Sequence, residues 1–208
     1  MNKDKDKRDF LFRHIPYDIR YKILIDIEAN YSTTDQVTAT KISREILKFI
    51  SKDSIITDAT SCIGGSTYSF SKNFSKVNAI ELDDSRYDYL CKNMELLECK
   101  NVNCIKGDAI IECLKLEQDL IFIDPPWGGP EYKKLQSVDL YISSMEFSEA
   151  CKILSTVSKY IVIKVPINFN EVSFIENVKK NLKLIYKNTT LRKMHLLIFH
   201  TITHIHIQ

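Results

Sequence analysis

The stretch that most constrains this chain runs Leu120-Ile121-Phe122-Ile123-Asp124-Pro125-Pro126-Trp127-Gly128-Gly129-Pro130-Glu131-Tyr132. Its first four residues form an unbroken apolar run, the pattern of a strand buried on both faces within a parallel sheet. Two prolines then end it, because neither has a backbone N–H to give to a central ladder. An acid, two prolines and the sole tryptophan of the chain therefore stand together where a buried strand stops. In open α/β sheets the carboxyl ends of the strands are where ligands bind.

These residue types suit a particular task. An exocyclic amine on a nucleobase donates two N–H bonds; the Asp124 carboxylate can accept one and the Pro125 carbonyl the other. An amine held in this way is pyramidal, with its lone pair directed at an electrophile. The flat indole of Trp127 can stack the base, while Gly128 and Gly129 remove side chains where the base must approach. The plainer alternative is a strand-ending proline turn beside a core tryptophan.

Asp-Pro-Pro-Trp-Gly-Gly-Pro resembles the active-site motif of the trimethylguanosine synthases, RNA cap guanine-N2 methyltransferases that use S-adenosylmethionine. A bare Asp-Pro-Pro-aromatic motif is shared by many amino-group methyltransferases. The Trp-Gly-Gly-Pro extension, followed by an acid and Tyr132, is much more specific. The resemblance implies catalytic roles for Asp124, Pro125 and Pro126, and substrate contacts for Trp127, Tyr132 and Asn168. It covers roughly residues 31–203, with the functional motifs in the expected order.

A chain of 208 residues is long enough for one domain with a real core. Its net charge is only +2, so nucleic-acid affinity must come from local patches, which favours a small target such as a cap over a whole duplex. Six cysteines show no C-x-x-C pair and no metal-like spacing with the histidines, and several lie in apolar periodic segments. They are expected to be reduced core residues of an intracellular, soluble protein. The N-terminus carries charge rather than an apolar signal region, and no stretch is long enough to span a membrane.

Residues 1–30 read as a charged tail followed by a short helical lid, and residues 31–208 as the methyltransferase domain. Lys3, Lys5, Lys7 and Arg8 can touch phosphates, although a solvated tail is the default for such a run. From Asp35 to about Ile50 the spacing of Ile42, Ile46, Leu47 and Ile50 predicts a helix. Val37-Thr38 followed by Lys41-Ile42 resembles the family's Val-Thr-Pro-x-Lys-Ile segment, with Ala39 in place of proline; this implies a cofactor contact for Thr38. A helix-start role for Thr38 is equally compatible with the residues.

Ser54–Thr60 reads as the first strand, followed by a glycine turn and a helix to about Asn73, the cofactor cradle of doubly wound folds. The family's loop is Asp-x-x-x-Gly-x-Gly-Gly. Asp58, Gly64 and Gly65 match it, while Cys62 takes the first glycine position and is expected there only if its backbone avoids positive φ. Val77–Asp83 is the second strand, and Glu81, with Asp83 as second choice, is placed to bond ribose hydroxyls. Capping of the helix Ser85–Leu97 is the alternative role for Asp83 and Asp84. Val102–Lys106 is the third strand. The family resemblance implies that Asp108 and the amide of Ala109 meet the adenine, with Asp108 also suited to cap a helix.

Met145–Val157 reads as an amphipathic helix and Tyr160–Val165 as the fifth strand, ending at Pro166-Ile167-Asn168. The family pattern here resembles Leu-Pro-Arg-Asn, so Ile167 stands where a basic residue would help hold cap phosphates; Lys164 or the N-terminal basic residues are the available substitutes. Val172–Asn181 is a further helix, and Leu182–Asn188 with Met194–Thr203 a closing strand pair. His200, His204 and His206 alternate along its end and are expected to line an exposed strand face rather than a metal site.

The expected fold is α/β: a Rossmann-like class I methyltransferase, mostly parallel, with helices on both faces and a C-terminal antiparallel hairpin. The expected activity is methylation of the N2 amine of 7-methylguanosine in an RNA cap, with S-adenosylmethionine as donor, capped RNA as partner, no metal and a monomeric state. The alternatives are an amino-methyltransferase for another base or for protein glutamine, and a non-catalytic cap- or cofactor-binding module.

Overall fold

The computed structural model describes residues 6–191 and 193–202, so Lys3, Lys5, His204 and His206 lie outside the described residues. The chain divides into two units, Met1–Gly107 and Asp108–Gln208.

The first unit opens with three one-turn helices, α1 (Arg8–Leu11), α2 (Tyr17–Arg20) and α3 (Ala29–Ser32). The fourth, α4 (Gln36–Ile46), starts where the Asp35 carboxylate accepts from the amides of Val37 and Thr38, two donors that a helix start otherwise leaves unpaired. Its Ile42 and Ile46 are fully buried, as their spacing predicts. Then come β1 (Ile55–Asp58), α5 (Gly65–Ser71), β2 (Lys76–Glu81), α6 (Asp84–Leu96) and β3 (Val102–Lys106). The strands pair in parallel, β1 with β2 and β2 with β3. A parallel neighbour cannot be reached by a tight turn, so a helix crosses over between each pair.

The segment expected to be a tail and lid contributes to this unit's core. Leu11, Phe12, Ile15, Ile23 and Ala29 cluster with Ile63, Ala79, Leu90 and Met94, each at most 4% exposed. Asn93 ties the segment down. It is 1% exposed, accepts from the Leu24 amide at 2.8 Å, and donates to the carbonyls of Leu24 at 3.0 Å and Ile63 at 3.1 Å.

In the second unit α7 (Ala109–Cys113) precedes β4 (Leu120–Ile123), and a 3-10 turn spans Pro130–Lys134. After it come β5 (Tyr141–Ile142), β6 (Met145–Glu146), α8 (Phe147–Leu154), β7 (Tyr160–Pro166), α9 (Glu171–Val178), β8 (Leu182–Asn188) and β9 (Met194–Thr201). β4 and β7 are parallel, while β9 runs antiparallel to both β7 and β8. The strand order is β3-β2-β1 in the first unit, all parallel, and β4-β7-β9-β8 in the second, with β4 and β7 parallel and β9 antiparallel to its neighbours.

The helix expected over Met145–Val157 begins only at Phe147 and ends at Leu154. Met145 and Glu146 instead pair with Ile142 and Tyr141 in a small hairpin. Ser143 and Ser144 form its turn with φ of 52° and 64°, the two successive left-handed residues of a type I′ hairpin. Two serines give no glycine or asparagine signal for such a turn, so the sequence pattern hides it. Each of the six cysteines is a free thiol, and Cys99, Cys113 and Cys151 are buried. No helix among the described residues is long and apolar enough to cross a membrane.

Replacing Asn93 with Ala removes one side chain from three backbone groups and leaves buried donors and acceptors without partners. Unfolding in urea should show a loss of about 2–4 kcal/mol.

Candidate active site

In the first unit, the turn after β1 is shaped by two close approaches. Gly64 has φ of 101°, and a Cβ there would stand 2.4 Å from the Met94 Cε. A Cβ on Gly65 would stand 2.5 Å from the Thr34 carbonyl oxygen. Gly64 is thus required by its left-handed backbone and Gly65 by the backbone packed against it. The expectation for Cys62 is overturned: its φ is 51°, in the left-handed region. That conformation costs a non-glycine residue on the order of 1–2 kcal/mol. It is held by its own amide, which donates to the Glu81 carboxylate at 2.9 Å, and the thiol lies 3.8 Å from the Thr33 hydroxyl. Burial pushes the Cys62 thiol up to about 12, so it is an inert packing group at neutral pH.

Glu81, at the carboxyl end of β2, closes this turn. One of its oxygens accepts from Cys62 and the other from the Asp83 amide at 2.9 Å, and the Arg86 guanidinium stands 3.6 Å away. A carboxylate has about four acceptor positions, so two backbone bonds leave capacity for hydroxyl donors. Asp58, at the end of β1, is 1% exposed and accepts from the Thr67 hydroxyl at 2.7 Å, tying α5 to the strand. Thr38 gives its hydroxyl to Asp35 at 2.7 Å within the α4 cap. Asp83 caps α6 by accepting from the Arg86 amide at 2.9 Å, a bond that holds its carboxyl below the usual range. These helix-start roles are the ones the residues had left open for Thr38 and Asp83.

In the second unit, Asp108 likewise caps α7, accepting from the amides of Ile110 at 2.9 Å and Ile111 at 3.1 Å, and Ala109 is buried. All four residues of β4 are buried, and Asp124 follows half-buried. Pro125 is buried and Pro126 exposed. Gly128 and Gly129 adopt φ of 85° and 71°, and a Cβ on either would meet nothing within 4 Å. Backbone conformation therefore demands these two glycines, and the space above them is open. Trp127 packs edge-to-face with Tyr132, ring centroids 5.2 Å apart, and burial raises the Tyr132 phenol above its ordinary value. The indole Nε1 is buried and has no hydrogen-bond partner, a state that buried tryptophans rarely keep unless something else supplies an acceptor.

Asn168 acts on the same loop from the end of β7. Its amide donates to the carbonyls of Tyr132 at 2.9 Å and Leu135 at 2.8 Å, while its Oδ1 is buried without a partner. The neighbouring backbone joins in: Val138 donates to the Asn168 carbonyl at 2.9 Å, and Asn170 to the Val138 carbonyl at 3.0 Å. The loop carrying Trp127 and Tyr132 is therefore pinned at its far side to the residues after β7.

One residue of this site had been assigned to another task. Lys164 was a candidate for holding phosphates, yet it is 4% exposed, its ammonium is paired with the Asp124 carboxylate, and it lies 5.1 Å from the centroid of the Trp127 ring. A lysine within the apolar run Tyr-Ile-Val-Ile-Lys-Val-Pro was the available signal, since a charge in a buried strand needs a partner. His200 sits against Tyr160, ring centroids 5.0 Å apart, with its Nδ1 2.9 Å from the Thr201 carbonyl. Among the described residues no group of His, Cys, Asp or Glu is arranged to hold a metal ion.

Comparison with known proteins bears on the fold and the family. Among solved structures, a protein of Porphyromonas gingivalis W83 assigned as a methyltransferase superposes with a TM-score of 0.72 over 94% of this chain and 48% of that one, at 18% identity. Among sequences, the uncharacterized protein L320 of Acanthamoeba polyphaga mimivirus is 37% identical over 133 residues, covering 62% of this chain and 52% of that protein. The trimethylguanosine synthase of Schizosaccharomyces pombe is 31% identical over 151 residues, covering 67% of this chain and 62% of that protein. The chain thus spans little more than half the length of these two relatives. The model of the RNA cap guanine-N2 methyltransferase family matches residues 53–194, which include the glycine turn, Glu81, Asp124-Pro125-Pro126-Trp127 and Asn168. This chain belongs to the RNA cap guanine-N2 methyltransferase family.

Proposed function

We propose that the protein transfers a methyl group from S-adenosylmethionine to the exocyclic N2 amine of 7-methylguanosine in the cap of an RNA. The observation that carries this reading is the acceptor loop: a half-buried carboxylate at the end of β4, a proline carbonyl beside it and one indole on the same short turn. The family match supports the same reaction.

The first unit has a feature that fits the donor. Glu81, at the end of β2, keeps acceptor capacity for the hydroxyls of a ribose. When bound, S-adenosylmethionine supplies an electrophilic methyl on a sulfonium. In the second unit, Asp124 and the Pro125 carbonyl take the two N–H bonds of the amine and orient its lone pair. With the donor bound, the amine would gain the methyl as the carbon's bond to sulfur is lost, and the nitrogen would then give up one proton to water. Asp124 stabilises the positive charge that grows on nitrogen during this step. Positioning supplies most of the acceleration, because neither a metal nor a covalent enzyme intermediate is needed for an amine to displace a thioether. Trp127 supplies the stacking surface, and N7 methylation makes the base a cation that an indole face attracts by about 1–2 kcal/mol when desolvated.

The decisive experiment is incubation with labelled S-adenosylmethionine and either m7GDP or GDP. m7GDP should be the better acceptor; equal labelling of both would sink the cap assignment. Asp124→Ala should lower turnover by about 10²–10³-fold with cofactor affinity nearly unchanged, as measured by calorimetry. Glu81→Ala should do the reverse, weakening cofactor binding by about tenfold or more through loss of a charged acceptor. Trp127→Phe should keep partial activity, and Trp127→Ala should lose most of it.

A further inference from the structure

The Lys164 ammonium has no part in the chemistry just described, yet it lies at the centre of the acceptor site. It pairs with the carboxylate that must receive the amine, and it stands over the indole on which the base must stack, 5.1 Å from the ring centroid. Burial makes both contacts count. Lys164 is 4% exposed, and the Asp124 side chain keeps only 14% of its exposure. Screening by water and salt is weak at such positions.

Two consequences follow. A carboxylate offers roughly four acceptor positions, so an ammonium on it does not by itself exclude an amine. Its charge, however, is neutralised locally, and the indole's electron-rich face already serves one cation. A site built from Asp124 and Trp127 alone would favour a cationic acceptor base twice over, by opposite charge and by cation–π attraction. Adding a fixed positive charge opposes both. At an effective dielectric constant of about 20, a unit charge within roughly 10 Å of a bound cation changes its affinity on the order of tenfold.

We propose that Lys164 is a specificity-determining residue of the acceptor site, one that restrains its preference for a cationic, N7-methylated guanine over a neutral one. The inference rests on the cap-methyltransferase reading given above and names a control on the same site.

The test compares kcat/KM for m7GDP and GDP in the wild type, Lys164→Met, Lys164→Gln and Lys164→Arg. The ratio of the two acceptors cancels any loss of Asp124 alignment that affects both equally, so a merely structural role would not move it. Lys164→Met should raise the m7GDP-to-GDP ratio on the order of tenfold, Lys164→Gln should do so while keeping a hydrogen bond to Asp124, and Lys164→Arg should stay near the wild-type ratio. If the Met variant fails to fold, the Gln variant decides. A ratio that is unchanged or falls when the charge is removed overturns the proposal. The single tryptophan of the chain is Trp127, so quenching of its fluorescence measures binding of both nucleotides without catalysis. Wild-type protein that binds both but methylates neither would overturn the enzymatic reading alone, and the affinity ratio across the same variants would then judge Lys164. Quenching by neither nucleotide would overturn both.

Discussion

Leu120, Ile121, Phe122 and Ile123 are each at most 1% exposed, and that burial governs where polar chemistry can be placed. A strand covered on both faces has no room for an unpaired carboxylate along its length. Acids are admitted only where the ladder ends. Asp58 ends β1, Glu81 ends β2 and Asp124 follows β4. Each then finds a different solution to the cost of burial: a threonine hydroxyl for Asp58, two backbone amides for Glu81 and a lysine for Asp124.

The pair between Lys164 and Asp124 is the most demanding of these. Taking two charges out of water costs several kcal/mol per ion, and pairing alone seldom makes a buried ion pair more stabilising than apolar residues of the same size. Stability is thus a poor reason for placing a lysine in the middle of β7. A functional reason fits better, since the same ammonium pairs with the carboxylate and lies over the indole of the loop after β4. The loop itself is held from the end of β7 by Asn168, so one strand contributes both the charge and the anchor.

The left-handed Cys62 shows a similar trade. The family's glycine would adopt this φ at little cost, whereas the cysteine needs the Glu81 carboxylate on its amide. Glu81 therefore holds the turn with both of its carboxylate oxygens. A residue that holds a strained turn with a polar group is also kept in one orientation, which suits recognition of a hydroxyl-bearing ligand.

Much of this was legible from the residues alone. Apolar runs ending at Asp58, Glu81 and Asp124 marked buried strands, because burial on both faces leaves a continuous apolar signature. The prolines and the lone Trp127 marked the end of β4 and the loop after it, because a proline cannot continue a ladder. Other features were beyond reach of the sequence. The hairpin at Ser143-Ser144 rests on left-handed serines, which carry no turn signal. The N-terminal segment looked detachable because its apolar residues are mixed with charge, and the tertiary structure joins it to the core through the cluster of Leu11, Phe12 and Ile23 with Leu90 and Met94 and through the bonds of Asn93. Cys62 was legible as a departure but not as a strained one, since φ is settled by the turn around it. Lys164 was visible as an odd charge in a strand, but its partner stands 40 residues earlier in the chain. Local pattern reports what a residue must avoid, such as water or a broken ladder. Which partner relieves it is decided by the neighbours that folding brings alongside.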